Sequence, residues 1–219
     1  MPSVTVENYV KQIYLEQQRT RDHLVSMGRL ADVMSVTPGT ATSMIKALAD
    51  SGLVKYVRRS GVRLSKGGEQ LALHVLRRHR LLEQFLVQVV GLDWSEVHTE
   101  AEELEHAVSD KLLARMDALL GHPSFDPHGD PIPSPTGTIP EEQLCDLAHA
   151  PGGRRLRVAR VVDQDPEFLR YAEKQGLRPG AQVELLENDP AADAVLVRCA
   201  GRKPFTMGTA AATKILVKV

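Results

Sequence analysis

Residues 35–64, SVTPGTATSMIKALADSGLVKYVRRSGVRL, decide how the first third of the chain is built. Thr37 is a good helix N-cap, and Pro38 suits the first helical position, where a missing N–H costs nothing. Ala41, Ile45 and Leu48 then recur at helical spacing as far as Ser51-Gly52, where glycine is a natural stop. Upstream, Leu30, Val33 and Met34 mark a short helix over about 27–34, so two helices meet across a tight turn, the helix-turn-helix pattern. Downstream, Leu53–Val57 and Val62–Leu64 read as short strands around Arg58-Arg59-Ser60-Gly61, a hairpin with Gly at its turn. A helix-turn-helix followed at once by a basic hairpin is the winged-helix arrangement. Val6, Tyr9, Val10, Ile13 and Tyr14 supply its first amphipathic helix, over 5–17.

Projected around the helix that starts at Pro38, Ala41, Ile45 and Leu48 face inward. Gly39, Ser43, Lys46 and Ala47 face outward, with Thr40 and Thr42 on the flanks. Small residues near its start let the backbone approach a major groove, while hydroxyls and one lysine supply polar contacts. No Arg, Asn or Gln stands on that face to grip a base with two hydrogen bonds. Phosphate contacts and DNA shape are therefore expected to carry much of the selectivity. The candidate DNA contacts are Thr37, Pro38, Gly39, Thr40, Thr42, Ser43 and Lys46 on the helix, with Lys55, Arg58, Arg59 and Arg63 on the hairpin. The competing reading is a three-helix core with a solvated basic face.

The 219 residues are 42% hydrophobic and 25% charged, which excludes a disordered or collagen-like chain. The formal net charge of -1 conceals an uneven distribution. Residues 1–66 hold ten Lys/Arg against five Asp/Glu, 67–125 hold five against ten, and the remainder twelve against thirteen. A basic first third and an acidic middle point to a division of labour. An aromatic content of 4% argues against a stacking platform for single-stranded nucleic acid. Cys145 and Cys199 provide neither a disulfide framework nor a Cys-rich zinc module. With no apolar run of membrane-spanning length and no signal pattern, a cytoplasmic protein without a membrane partner is expected.

From Ser65, an N-cap with Glu69 in the first turn, a long helix is expected to reach about Val90, followed by helices over about 94–107 and 109–120. Residues 121–140 contain six of the thirteen prolines and read as a linker and domain boundary, with a short helix over 141–148 beyond it. Strands follow at Leu156–Val158, Val183–Leu185, Val195–Val197 and Ile215–Val217. They are interrupted by a helix over about 166–175 that Asp165 caps and Pro166 opens. A 65-residue, mostly β unit of this kind is a small barrel.

The middle third carries the chemistry. His79 and Glu83 are i,i+4 on one helix, so their side chains lie together. His98, Glu102, Glu105 and His106 share one face of the next helix, beside the apolar stripe of Val97, Ala101, Leu104 and Val108. Imidazoles and carboxylates converging beside a core seam form a nitrogen and oxygen donor set suited to a transition metal. A solvated acidic face made of Glu100, Glu102, Glu103 and Glu105 is the alternative.

His-Arg-Leu-Leu-Glu at 79–83 and His-Thr-Glu-Ala-Glu-Glu-Leu-Glu-His at 98–106 resemble the diphtheria-toxin-repressor family, including its manganese transport regulator branch. So do Asn8–Tyr14, Ser51–Val54 and Gly-Asp-Pro-Ile-Pro at 129–133. Leu177–Val183 resembles the SH3-like, FeoA-type C-terminal domain of the longer members. The resemblance implies a multidomain α+β chain. Its parts are a winged helix-turn-helix over 1–66, a helical metal-binding and dimerisation domain over 67–122, a linker with a short helix over 123–153, and an SH3-like domain over 154–219.

The same resemblance implies a homodimeric, metal-dependent repressor that binds double-stranded operator DNA and controls metal-uptake genes. His79, Glu83 and His98 match the ligands of one metal site. Glu102, Glu105 and His106 match those of another, completed from the first helix at the position of Asn8. Asp165 and Glu167, beside Gln164, lie where long members supply further ligands. Glu102 is the manganese-branch choice, whereas Asn8 and Lys11 stand where that branch carries carboxylates, which leaves one or two ions per subunit open. A donor set without sulfur favours Mn(II), with Fe(II) as the alternative. The apolar residues Leu81, Leu82, Phe85, Leu86 and Val89, with Leu112, Leu113 and Leu119, are the natural dimer surface, in competition with packing inside one chain.

Two other classes compete with this reading. A winged-helix regulator could hold a purely structural ion. A metallohydrolase of the inverse zinc-protease kind would need His at position 102, and no nucleophile elbow, P-loop or dinucleotide fingerprint is present. No enzyme activity and no small organic substrate are expected.

Overall fold

The computed structural model describes residues 2–20 and 22–218. It divides into two compact units, one of residues 1–78 with 133–138 and the other of 79–132 with 139–219.

The first unit opens with α1 (Val4–Gln17), α2 (Met27–Val33) and α3 (Pro38–Asp50). The hydroxyls of Ser3, Ser26 and Thr37 cap these helices by accepting from backbone amides in the first turn. β1 (Val54–Val57) and β2 (Gly61–Leu64) form the expected antiparallel hairpin, Lys55 opposite Arg63. Val25 adds a bridge to Val62, so the hairpin is tied to the chain before α2. Gly61 makes this possible: its φ is +142°, and a Cβ there would lie 2.4 Å from the Val25 carbonyl oxygen. Tyr9, Val10, Ile13, Leu30, Ile45, Leu48, Val54 and Val62 form the core.

Glu16 is buried on α1 and receives the Arg29 guanidinium in a fork, Nε to Oε2 at 2.6 Å and Nη2 to Oε1 at 3.0 Å, plus Arg19 at 2.6 Å. The Arg29 hydrogen bond first, and then the charges of both arginines, hold the Glu16 carboxyl below its usual range against the effect of burial. Both arginines are at least half exposed, so solvent screens the pair. Glu16→Ala should cost about 1 kcal/mol, read by denaturant unfolding at neutral pH. With a folded pKa below the unfolded one, this contribution is present above about pH 4.5 and lost as pH falls through the folded value. In the variant that acid-side slope should be shallower.

α4 (Lys66–Phe85) supplies residues to both units. Ser65 starts it as expected, its hydroxyl accepting from the Gly68 amide at 3.1 Å. The regular helix ends at Phe85, and Leu86–Val90 continue as one wider π-helical turn before Gly91 stops it at φ +83°. α5 (Val97–Leu104) is shorter than the expected 94–107. The Asp93 carboxylate accepts from the Ser95 amide at 2.8 Å and folds the preceding residues into a turn. α6 (Asp110–Leu119) is capped by Ser109.

Two expectations fail beyond α6. Residues 121–132 are not a loose linker: Phe125 bridges Pro131, and Asp126, His128 and Ile132 are buried. The Asp126 Oδ1 folds the segment on itself by accepting from the amides of His128 at 2.8 Å and Asp130 at 2.9 Å. The helix expected over 141–148 is a strand, β3 (Leu144–Asp146), which begins ten residues before Arg154. Pairing of Cys145 with Val217 overrides the helical tendency of the local sequence.

The rest of the second unit is built on β4 (Arg155–Val161), α7 (Pro166–Gln175), β5 (Gln182–Asp189), β6 (Ala194–Cys199), β7 (Phe205–Gly208), α8 (Thr209–Ala212) and β8 (Ile215–Lys218). The sheet is antiparallel in the order β3-β8-β4-β5-β6-β7, an SH3-like sheet domain with register shifts in β4 and β5. Asp165 and Pro166 open α7 as the sequence requires. Of the apolar residues proposed for a dimer surface, Leu81, Leu82, Leu86 and Leu113 are buried within the chain. Val89, Leu112 and Leu119 remain exposed.

Candidate metal centre

α4 brings His79 and Glu83 together, and α5 presents His98 opposite them. His79 Nε2 lies 3.0 Å from Glu83 Oε1 and 3.1 Å from His98 Nδ1, and His98 Nδ1 lies 3.2 Å from the same carboxylate oxygen. Three donors on a triangle with edges near 3 Å fit the first shell of a divalent ion. The other His79 nitrogen faces Glu105, with Nδ1 2.7 Å from Oε2, and Glu102 stands 3.9 Å away. Glu105 also reaches His106 Nε2 at 3.3 Å. With Nδ1–H donated to Glu105, loss of the Nε2 proton to an incoming ion would leave a lone pair directed between Glu83 and His98, as a metal-ligating imidazole requires.

A third group went unread in the sequence. Glu83, Asp126 and His128 offer donor atoms within 4.8 Å of one another, and all three residues are buried. Glu83 Oε2, Asp126 Oδ2 and His128 Nδ1 are each buried without a hydrogen-bond partner, and Oε2 lies 3.6 Å from Nδ1. Asp126 Oδ2 also lies 3.8 Å from Arg80 Nε, so these buried atoms are held by long ion pairs rather than hydrogen bonds, and a cation among them would give all three a close partner. The signal available in the sequence was an acid and a histidine two apart in a proline-rich stretch, Asp126-Pro127-His128.

Charged groups crowd around Glu83. Burial works to raise its carboxyl, yet the charge of His79, the approach of His128 and the close contacts of His79 and His98 hold it well below the ordinary range. Burial likewise opposes the His128 cation, but Glu83 and Asp126 outweigh it and push the imidazole up to about 9. Asp126 is raised, by burial first and then by the negative charges of Asp130 and Glu83.

On α3 the expected orientation holds: Ala41, Ile45 and Leu48 are buried, whereas Pro38, Gly39, Thr40, Ser43 and Lys46 are exposed. Thr42 donates its hydroxyl to the Pro38 carbonyl at 2.7 Å and so keeps only acceptor capacity for an outside partner. Thr37 is engaged as the cap. Lys55, Arg58, Arg59 and Arg63 are all exposed on the hairpin, Arg59 at φ +66°.

Comparison with known proteins matches this arrangement piece by piece. The iron dependent repressor N-terminal DNA binding domain matches residues 1–62. The iron dependent repressor metal binding and dimerisation domain matches 65–134, and the FeoA domain matches 145–219. The Corynebacterium glutamicum diphtheria toxin repressor is 31% identical over 194 residues, covering 83% of each chain. The chain belongs to the diphtheria-toxin-repressor family. Members of this family are metal-dependent transcriptional repressors, not enzymes. The iron-dependent repressor IdeR of Mycobacterium leprae is 28% identical over 206 residues, covering 88% of each chain. A solved manganese-dependent transcriptional repressor in complex with manganese is 40% identical, with a TM-score of 0.89, covering 97% of this chain and 99% of that one.

In this repressor His79, Glu83 and His98 come together, and Glu102 and Glu105 gather on the far side of the same imidazole. Asp165 and Glu167 stand outside the three groups found among the described residues. The Asp165 Oδ1 is occupied as the cap of α7, accepting from the amides of Glu167 and Phe168 at 3.0 Å each. Gln164 reaches the 126–130 loop, its Nε2 3.4 Å from Asp130 Oδ2. Neither Cys145 nor Cys199 belongs to any of the three groups.

Proposed function

We propose that this repressor is activated by Mn(II), with Fe(II) as the alternative, and that the loaded homodimer binds operator DNA of metal-uptake genes in the cytoplasm. The observation that carries the metal reading is the His79–Glu83–His98 triangle, whose three donor atoms are already preset about 3 Å apart. Its donors are imidazole nitrogen and carboxylate oxygen without thiolate, which favours a hard ion. A bound divalent ion supplies the positive charge that lets buried carboxylates and imidazoles stay together.

The residues of the chain do the rest. Glu105 orients His79, and Glu102, Glu105 and His106 are the donors proposed for a second ion. Metal and DNA strengthen each other's binding by one common factor, as linkage requires. Exposed Val89, Leu112 and Leu119 support pairing of two chains through the helical domain. No helix among the described residues is long and apolar enough to cross a membrane.

The experiment is a titration of DNA fragments, selected from random sequence by the loaded protein, against Mn(II), Fe(II) and Zn(II), with a metal count on the bound protein. Binding should vanish in chelator and return with metal; equal binding in chelator would sink the proposal. The full burial of Glu83, Asp126 and His128 favours a second reading for that one group, a structural ion. Glu105→Ala and His106→Ala separate the two roles. Loss of metal-responsive DNA binding, with an unchanged thermal midpoint, assigns their group to sensing.

A further inference from the structure

Trp94, the single tryptophan of the chain, joins the sheet domain to the buried metal-ligand loop. It is 2% exposed and belongs to the core that also contains Leu169, Ala172 and Leu177 around α7. Its carbonyl oxygen accepts from His128 Nε2 at 2.8 Å, and its ring stacks on the His128 imidazole, centroids 5.6 Å apart at 27°. On the other side the indole Nε1 donates to Glu173 Oε2 at 3.1 Å. The Arg178 guanidinium lies 5.0 Å over the ring and pairs with Glu173 at 2.6 Å. The sheet holds the same loop from below: the Val161 amide donates to the His128 carbonyl at 2.9 Å. Gly129, at φ +86°, presses so close that a Cβ would sit 2.0 Å from the Ala159 carbonyl oxygen.

We propose that Trp94 is a positioning residue for His128 and that α7 and the turn after it, through Glu173 and Arg178, set the metal affinity of the Glu83–Asp126–His128 group. The inference rests on the reading of that group as a metal site. A carbonyl that accepts from Nε2–H keeps that proton in place, so that Nδ1 is the nitrogen freed when an ion displaces a proton, and the indole stack fixes the plane of the ring. The Glu173 hydrogen bond fixes the indole itself, since a buried N–H turns toward whatever acceptor it has. The C-terminal domain thereby orients the His128 imidazole through Trp94.

Titration with Mn(II) alone, followed by dialysis counts and by Trp94 emission, tests this without DNA. Glu173 is 41% exposed, and the thermal midpoint of each variant in chelator checks that its fold is kept. Glu173→Ala should weaken the ion that His128→Ala abolishes by about tenfold and blunt the Mn(II)-induced change in emission. Glu173→Gln keeps an acceptor and should restore both to within roughly twofold of the parent. Equal Mn(II) affinity and emission in Glu173→Ala and the parent would overturn the positioning role. So would a Glu173→Gln variant as weak as Glu173→Ala. If the parent and His128→Ala bind the same number of ions with the same affinity, the metal reading of the group itself fails.

Discussion

Glu83→Gln should lower Mn(II) affinity by about a hundredfold and take metal-dependent DNA binding down with it, within the 5–150-fold range of ordinary coupling energies. Glu83 is 0% exposed and is shared by two of the three converging groups. Its Oε1 stands 3.0 Å from His79 and 3.2 Å from His98, while Oε2 stands 3.6 Å from His128. Glutamine preserves the shape and one acceptor oxygen but removes the only charge that all three imidazoles face. A neutral oxygen binds a hard cation far more weakly than a carboxylate. The metal-free protein should suffer too, by about 3 kcal/mol at neutral pH, because the variant strands buried imidazoles beside a group that no longer offsets their charge. Equilibrium dialysis measures the first effect, and thermal unfolding in chelator the second. Unchanged Mn(II) binding by Glu83→Gln would remove Glu83 from the ligand set.

The parts of this repressor that the sequence discloses are those governed by local rules. Thr37-Pro38 caps and starts α3, Asp165-Pro166 does the same for α7, and the Ser65 cap starts α4; each is a short-range hydrogen-bonding choice. The pairing of His79 with Glu83 is equally local, one helical turn on one face. Asp126 and His128 escape such rules. Their approach to Glu83 depends on a side chain folding its own loop, on Gly129 pressing against β4 and on an indole from another segment, none of which leaves a periodic trace. β3 illustrates the opposite failure. Residues 141–148 have helical composition, and a long-range partner, β8, decides the outcome. β7 leaves no signal in the sequence because its four residues, Phe205–Gly208, are too few to show an alternation. The long-range contacts that hide these elements are also the ones that build the buried ligand group.

Replacing Arg58, Arg59 and Arg63 together by Ala should change how DNA binding responds to salt more than which sequence is chosen. Each arginine is exposed on the hairpin, and each phosphate neutralised contributes about 0.9 to the slope of log affinity against log salt. The triple variant should therefore lose about 2.7 from that slope. The gap between parent and variant then narrows by about fortyfold between 50 and 200 mM salt. α3 is expected to behave differently. Its exposed face offers Gly39, Thr40, Ser43 and Lys46, with the Thr42 hydroxyl proton already given to Pro38, so it has one cation and few donors for base edges. Lys46→Ala should weaken binding and reduce the slope by about one if Lys46 reads phosphate. It should relax selectivity at a single base pair if Lys46 reads a base edge. Salt titrations on two operators differing at single positions distinguish these outcomes. A triple hairpin variant that kept the parent slope but chose a different sequence would move base reading from α3 to the hairpin. It would also undo the link between the basic first third of the chain and phosphate.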